Sequence, residues 1–349
     1  MTPPRANAPS PEPQPVLAPL TSSAIFLVAS IKPDTESYAT VRDFCADLPG
    51  IYRAVDFRRI EGGLSCVASF GSDAWDKLFP NNPRPAELHP FKELRAGDRH
   101  APSTPADLLF HLRAKRMDLC FELVAQIMSR IGPALSTVDE THGFRYFDDR
   151  DLLGFVDGTE NPGGPIAVSA TTIGDEDPEF EGSCYVHVQK YIHDMPSWES
   201  LSVTEQEGVI GRTKLDDIEL DVKPADAHIA LNVITDDDGT ELKIVRHNMP
   251  FGEVGKGEYG TYFIGYSRTP QVTERMLQNM FLGDPPGNTD RILDFSTAET
   301  GGLFFSPTVD FLDDPPPLPG PLVTARPAAP ASGASVSGSL SIGSLKGTS

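Results

Sequence analysis

The sequence predicts an α+β protein that contains two repeats of one architecture. Between residues 24 and 147, the pattern of apolar and polar residues indicates the order β-α-β-β-α-β. A second series of strands and helices of similar type follows residues 154–162. Hydrophobic residues make up 39% of the 349 residues, which is enough to bury a substantial core.

The first repeat is expected in residues 21–150. Strand-like segments are predicted at 24–30, 54–58, 64–70 and 107–112, with a further β segment near 134–147. Helices are predicted at 35–47, 73–79 and 116–131. In the last of these helices, Leu119, Leu123, Ile127 and Ile131 recur at helical spacing.

The second repeat is expected in residues 151–312. Strands are predicted at 183–192, 243–251 and 260–268, and helices at 202–212 and 269–283. The last helix begins at a Thr-Pro cap and ends at Gly283, as the preferences for helix ends favour.

Both ends of the chain are predicted to lack a packed structure. Residues 1–20 are rich in proline and small polar residues, and residues 313–338 form a linker rich in Pro, Ala, Gly and Ser. The last segment, residues 339–349, reads SLSIGSLKGTS and carries Leu340, Ile342 and Leu345 between polar residues and glycines. Composition alone allows either a disordered tail or an extended peptide that fits a groove.

Charge and cysteine content exclude several classes of protein. A formal net charge of -21 argues against an extended nucleic-acid-binding surface, which requires clustered Lys and Arg. No run of eighteen apolar residues predicts a membrane span, and the N-terminus lacks an apolar signal core, so the cytoplasm is expected. The four cysteines are widely spaced, which favours reduced, buried thiols over a zinc site.

The segment GFVDGTENP, residues 154–162, places Asp157 between two glycines. Gly154 and Gly158 permit a tight turn with positive φ and a close backbone approach to a flat ligand, although the same residues are common in surface turns. Further along the chain, Arg246 and Asn248 lie two residues apart in a predicted strand. Their side chains are therefore expected on one face of the sheet, with Val245 and His247 on the other.

These residues resemble the signature of dye-decolorizing peroxidases, haem enzymes that reduce hydrogen peroxide while oxidising bulky organic donors. With His228 in KPADAHIALN, the order of the motifs is similar to that of the cytoplasmic, B-type branch. The resemblance covers roughly residues 24–312. It implies two ferredoxin-like halves that form a dimeric-α+β-barrel-type fold, with haem held mainly by the C-terminal half, and a homo-oligomer, either a dimer or a hexamer.

The same resemblance implies the roles of the central residues. His228 would ligate the haem iron, and Asp157, Arg246 and Asn248 would share the peroxide-binding side. Asp157 would move a proton between the peroxide oxygens, while the guanidinium and the amide stabilise charge on the leaving oxygen. The motif does not fix the relative weights of Asp157 and Arg246. Because the sequence has no CxxCH, the haem is expected to be non-covalently bound haem b.

Further cofactor contacts are expected from Gly158 and Thr159 of the motif and from Arg212, whose guanidinium suits a haem propionate. A carboxylate on the far ring nitrogen of His228 would strengthen its donation to iron, and Glu241 is the preferred candidate over Asp226.

Several aromatic and methionine residues are candidates either for contacts to the haem or for electron transfer at the protein surface. Five of them could line the haem pocket, although the same spacing is also common in an ordinary hydrophobic core: Tyr262, Phe263, Met276, Met280 and Phe281. Family members are thought to oxidise some donors at the surface through Trp or Tyr, for which Trp75, Trp198 and the eight tyrosines are candidates.

The last eleven residues resemble the cargo-loading peptides that direct proteins into encapsulin nanocompartments. The residues expected to contact the shell protein are Leu340, Ile342, Gly343, Leu345 and Lys346. Several tails in one oligomer would add avidity.

Two alternative functions are considered beside the peroxidase. One is a haem-binding or haem-handling protein without peroxidase turnover, and the other is a shell-associated protein whose main role is assembly. A chlorite-dismutase-like activity is less favoured, because GFVDGTENP marks the peroxidase branch.

Overall fold

The computed structural model describes residues 10–80 and 82–316. The first nine residues, most of the linker and the proposed shell-binding peptide lie outside the described residues, and what the sequence predicts for them stays a prediction.

Within the described residues, the strands alternate with the helices in two successive series. The strands are β1 (Ser23–Ile31), β2 (Ser65–Gly71), β3 (Leu94–Ala96), β4 (Arg99–Ala101), β5 (Leu108–Ala114), β6 (Leu135–Phe144), β7 (Cys184–His193), β8 (Ile234–Thr235), β9 (Glu241–Leu242), β10 (Val245–Arg246), β11 (Met249–Glu253), β12 (Glu258–Ser267), β13 (Ser296–Ala298) and β14 (Gly302–Ser306). The helices are α1 (Thr35–Asp56), α2 (Ser72–Leu78), α3 (Met117–Ile131), α4 (Gly164–Thr171), α5 (Met195–Glu199), α6 (Val203–Ile210), α7 (His228–Asn232), α8 (Pro270–Leu282) and α9 (Val309–Asp313).

The strand order confirms the two predicted ferredoxin-like repeats. The main sheet runs β10-β12-β7-β14-β2-β5-β1-β6, and its paired strands are antiparallel. If the four strands that each half contributes to this order are numbered along the chain, both halves have the spatial order 2-3-1-4. The halves join where β14 pairs with β2 over two residue pairs. At the other end, a Cβ added to Gly143 on β6 would lie only 2.5 Å from the Met249 Cβ on β11, so the outer edges approach each other as in a barrel.

Strand β12 separates the barrel interior from a second space on its other face. Tyr262, Ile264 and Tyr266 are fully buried in a core inside the barrel. Burial of each such side chain contributes about 1.5–3 kcal/mol. Because side chains alternate along a strand, Thr261 and Phe263 project from the opposite face, where the cavity described below lies.

Helix α1 differs from the prediction, because the segment 54–58 is not a strand. The helix continues through Pro49 to Asp56, and a 3-10 turn follows over 57–62. Its buried residues are Ser37, Val41, Arg42, Phe44, Cys45, Leu48, Ile51 and Val55. Apolar positions among them keep the helical period past the proline, so their burial offsets the cost of about 3 kcal/mol or more for Pro inside a helix.

Residues 10–20, here called the N-terminal strap, are packed on the fold, so the predicted lack of structure is wrong for this segment. Gln14 accepts a hydrogen bond from Ala68 N at 2.8 Å and donates to the carbonyls of Ala68 and Pro307 at 2.8 and 2.7 Å. The amide thus bridges β2 to the residue that follows β14. The backbone of Glu12 also meets the C-terminal end of the fold, because Glu12 O accepts a 2.8 Å hydrogen bond from the backbone N–H of Val309.

The four cysteines are free and buried, and burial raises the pKa of each thiol to about 12. This agrees with the prediction of reduced, mostly buried thiols. Among the described residues, no helix has the length and apolar character needed to cross a membrane.

Candidate active site

A cavity of about 170 Å³ lies against the outer face of β7 and β12. Residues of β7 and β12 form one wall, α7 and α8 form another, and residues 155–160 close a third side. Most of the lining is apolar. An apolar lining with a few polar groups that point inward is typical of sites for organic ligands.

The two glycines around Asp157 have the predicted positive φ, +93° at Gly154 and +81° at Gly158. A Cβ at Gly154 would lie 2.6 Å from Lys214 Cε, but this is the end of a flexible side chain that can move, so the positive φ is what favours glycine here. The turn directs Asp157 to the cavity, and the Asn248 amide donates a hydrogen bond to Asp157 Oδ1 at 3.3 Å.

Arg246 and Asn248 both line the cavity, as their spacing predicts, while Val245 and His247 are buried. Asn248 Oδ1 accepts a hydrogen bond from Ile264 N at 3.1 Å, so this side chain joins β12 to Asp157. Among the residues that the structure describes, no carboxylate pairs with the Arg246 guanidinium. A cationic donor is therefore available to a ligand in the cavity.

His228 is the first residue of α7 and lines the same cavity. Its Nδ1 lies 2.7 Å from Oδ2 of Asp290, a carboxylate that is 0% exposed. Since a carboxylate accepts, Nδ1 carries a proton, which leaves Nε2 as the nitrogen that could bind a metal. An imidazole prepared in this way is the usual nitrogen ligand of a metal.

The predicted partner of His228 is wrong. Glu241 pairs with Lys243 at 2.5 Å and is about 39% exposed, and Asp290 takes the place that was expected for it. For the runner-up, Asp226, the structure shows only a backbone contact in which its carbonyl accepts from Arg291 N. Asp290 is anchored on both oxygens, because its Oδ1 accepts from Ile292 N at 2.9 Å. No spacing in the sequence indicates this contact across 62 residues.

Arg212 lines the cavity, but two carboxylates already bind its guanidinium. Asp217 Oδ1 lies at 2.7 Å and Glu160 Oε1 at 2.9 Å. Thr159 also donates to Asp217 at 3.0 Å, and both Gly158 and Thr159 line the cavity. A propionate would therefore have to share Arg212 with these carboxylates.

The candidates for a cofactor wall divide into two groups. Phe263, Met276 and Met280 line the cavity. Tyr262 instead stacks on Phe26 inside the barrel, with ring centroids 4.0 Å apart, and Phe281 is part of the core.

The two tryptophans are unsuited to contact a donor at the surface, because Trp75 and Trp198 are each 1% exposed. The Trp198 indole N–H is bonded to Leu153 O.

Three polar residues of the cavity were not predicted from the sequence. Gln189 Nε2 and Thr273 Oγ1 are buried and have no hydrogen-bond partner among the described residues, as expected of groups that await a ligand. Asp151 accepts from Phe155 N at 2.9 Å, and burial raises the pKa of its carboxyl group to about 7.

A second, smaller cavity of about 40 Å³ reaches Asp157, Arg246 and Asn248 from another side. Residues 20–21, 145–146 and 149–150 contribute to its lining. The space suffices for a molecule of the size of water or peroxide.

Comparisons with known proteins agree with this architecture. Family models described as Dyp-type peroxidase, N-terminal, and Dyp-type peroxidase, C-terminal, match residues 13–145 and 148–311. The chain is 71% identical to a dye-decolorizing peroxidase of Mycobacterium tuberculosis over 343 residues, which cover 97% of this chain and 98% of that protein. A dye-decolorizing peroxidase of Brevibacterium linens is 55% identical over 90% of this chain and 85% of its own length.

Solved structures are similar as well. The encapsulated DyP-type peroxidase from Mycobacterium smegmatis superposes with a TM-score of 0.86 at 70% identity, covering 89% of this chain and 100% of that chain. A DypB variant from Rhodococcus jostii RHA1 in complex with heme gives a TM-score of 0.85 at 54% identity, covering 87% and 99% of the two chains.

Proposed function

Because the chain belongs to the Dyp-type peroxidase family and is a peroxidase, we propose that it holds haem b non-covalently in the large cavity and reduces hydrogen peroxide there. Bulky organic molecules, dye-like or phenolic, would supply the electrons. The observation that carries this proposal is the convergence of the His228–Asp290 pair and the Asp157–Asn248–Arg246 group on one apolar cavity.

The cavity residues suit haem. His228 would hold the iron through Nε2, and Asp290 would keep the proton on Nδ1 and so increase the donor strength of the imidazole. Phe263, Met276 and Met280 offer apolar contacts to the macrocycle. When bound, haem supplies the redox chemistry, taking up two oxidising equivalents from peroxide and accepting electrons from donors one at a time.

Asp157, Arg246 and Asn248 would prepare peroxide for cleavage of its O–O bond. Asn248 donates to Asp157 Oδ1 and so orients this carboxylate toward the cavity. Asp157 would take the proton of one peroxide oxygen and deliver it to the other, which leaves as water. The Arg246 guanidinium would stabilise the negative charge that develops on the leaving oxygen.

Two routes into the site would separate the substrates by size. The cavity beside Asp157, about 40 Å³ against about 170 Å³ for the large one, would admit peroxide but not a dye. Bulky donors would therefore release electrons at the mouth of the large cavity or at the protein surface.

The absorption spectrum of the purified protein, with and without one equivalent of peroxide, tests this function. We expect a haem spectrum that changes on addition of peroxide and returns when an oxidisable dye is added. A haem-handling protein without turnover would bind haem and leave the dye unchanged, and a protein with only an assembly role would bind none.

We further infer that residues 339–349 direct the enzyme into an encapsulin shell in the cytoplasm. The likeness of the tail to cargo-loading peptides supports this inference, as does the similarity of the whole fold to an encapsulated peroxidase. A dimer or hexamer would present several tails at once and so bind the shell with avidity.

A further inference from the structure

Arg113, on β5 of the N-terminal half, is 0% exposed. Among the described residues, no carboxylate pairs with it, and its Nε lacks a hydrogen-bond partner. An isolated guanidinium is costly to bury, and arginine remains charged in proteins. A buried charge without a carboxylate partner therefore depends on other hydrogen-bond acceptors in the protein.

The partners of Arg113 come from two distant parts of the chain. Its Nη atoms donate to the carbonyls of Pro15, Val16 and Ala18 in the N-terminal strap, at 2.7, 3.3 and 3.1 Å. Nη1 also contacts Nδ1 of His247. Because a guanidinium can only donate, His247 must be neutral, with its proton on Nε2. Arg113 therefore fixes both the tautomer and the orientation of this ring.

The backbone around His247 needs such support. Strand β10 ends at Arg246 and β11 begins at Met249, so the pairing with β12 is interrupted at residues 247–248. His247 N still donates to Ile264 O at 3.1 Å, but Ile264 N donates to the Asn248 side chain. One backbone hydrogen bond of the ladder is thus replaced by a side-chain contact at the position that presents Arg246 and Asn248 to the cavity.

We propose that Arg113 is a positioning residue for the peroxide reaction, which holds Arg246 and Asn248 in place by clamping His247 to the N-terminal strap. The strap is then part of the active machinery, although neither it nor Arg113 is among the residues that line the large cavity. This inference rests on the proposed roles of Arg246 and Asn248 in peroxide cleavage.

The first test measures the clamp in the haem-free, full-length protein by hydrogen–deuterium exchange. Lysine keeps the charge but cannot supply donors in the geometry of a guanidinium. In Arg113→Lys, we expect amides of residues 243–251 to exchange at least about tenfold faster than in the wild type. Leu123→Ala is the matched control, because Leu123 belongs to a core cluster that contains no residue of the strap or of β10. Equal exchange in the two variants would overturn the clamp.

The second test asks whether Arg113 acts through the cavity residues. For the haem-loaded enzyme, we expect Arg113→Lys to lower kcat/KM for peroxide about tenfold and to leave KM for a dye unchanged. In an Arg246→Leu/Asn248→Ala background, the same substitution should lower the remaining rate by less than about threefold, because interacting residues are not additive. A tenfold loss in both backgrounds, or a loss equal to that of Leu123→Ala, would overturn the positioning role.

If Arg113→Lys does not fold, substitutions of His247 test the same contact from the other side. His247→Gln keeps an acceptor for Arg113 and should retain most of the peroxide activity, whereas His247→Leu removes it and should lose about tenfold. Equal activity of these two variants would contradict the clamp. If the wild-type enzyme showed no peroxide turnover, the proposed function would fail, while the exchange experiment would still decide whether the clamp exists.

Discussion

Asn161 and Arg246 are joined by two hydrogen bonds between the Asn161 side chain and the Arg246 backbone. The amide of Asn161 donates to Arg246 O at 2.7 Å and accepts from Arg246 N at 2.8 Å. The loop that carries Asp157 is thereby attached to the strand that carries Arg246. The two residues proposed to act on peroxide thus share one rigid support, although 89 positions separate them (246 − 157).

Loss of this connection should slow the peroxide reaction without releasing haem. In Asn161→Ala, we expect the peroxide-dependent spectral change to slow about tenfold, because small errors in catalytic geometry are costly. Rapid-mixing spectroscopy at equal haem content measures the rate. Asn82→Ala, which removes another side-chain amide bonded to a backbone carbonyl far from the cavity, is the control and should react at the wild-type rate.

Arg246 and Asp157 should contribute to different extents to the rate of the peroxide reaction. We expect Arg246→Leu to slow the same spectral change by at least about a hundredfold, the usual scale for loss of one electrostatic or acid–base catalyst. Asp157→Ala should have an equal or smaller effect. Unchanged kinetics in both variants would rule out the proposed roles.

Loss of the Asp290 carboxylate, which binds His228, should weaken haem binding, whereas loss of the Glu241 carboxylate should not. Asp290→Asn removes the carboxylate that binds Nδ1 of His228, so we expect weaker haem retention, by about 10- to 100-fold, and a higher iron reduction potential. Spectroelectrochemistry and haem transfer to an acceptor protein measure both quantities. Glu241→Gln serves as the control and should match the wild type. Similar shifts in the two variants would restore Glu241 as the functional partner.

Asp151 should make the haem-free protein less stable at higher pH. Burial raises the pKa of its carboxyl group to about 7, whereas an unfolded aspartate has a pKa of about 3.9. Between these values the folded state binds more protons, so the free energy of unfolding falls as pH rises from about 4 to about 7. In the wild type, the free energy of unfolding should be about 1–3 kcal/mol lower at pH 8 than at pH 5 because of this group. Asp151→Asn should remove this difference. Urea unfolding at both pH values tests this, and identical pH dependence in the two proteins would contradict it.

The C-terminal tail should be required for packaging the enzyme into the shell but not for its peroxidase activity. Replacing Leu340, Ile342 and Leu345 with Ser removes apolar contacts that should each contribute about 1.5–3 kcal/mol to docking. We expect unchanged haem content and turnover but loss of enzyme from assembled cages after co-expression with a cognate shell protein. Ser341→Ala/Ser344→Ala is the control for altered sequence at unchanged length. Loading of the triple variant at the wild-type level would show that the tail is not a targeting peptide.

The sequence predicted the parts of the fold and site that depend on local pattern. Strand alternation placed Arg246 and Asn248 on one face, and glycine conformation marked the turn around Asp157. The proposed iron ligand's partner was missed because Asp290 reaches His228 from a loop with no periodic signal. The contacts of Arg113 and Gln14 were not predicted for a related reason, since they form only when segments distant in the sequence come together. The strand predicted at residues 54–58 failed because core packing overrode the helix-breaking tendency of Pro49.

The contacts of the N-terminal strap also set an order of events during synthesis. Glu12 bonds to Asp310 across 298 residues, and Gln14 bonds to Pro307 across 293. At a translation rate of about 5–20 residues per second, the strap must wait roughly 15–60 seconds for these partners to be made. The strap therefore leaves the ribosome before these two partners exist, and it cannot complete its docking until they do. The contacts of the strap with Arg113 and Ala68 can form earlier, whereas the bridge from Gln14 to Pro307 must wait for the end of the second half.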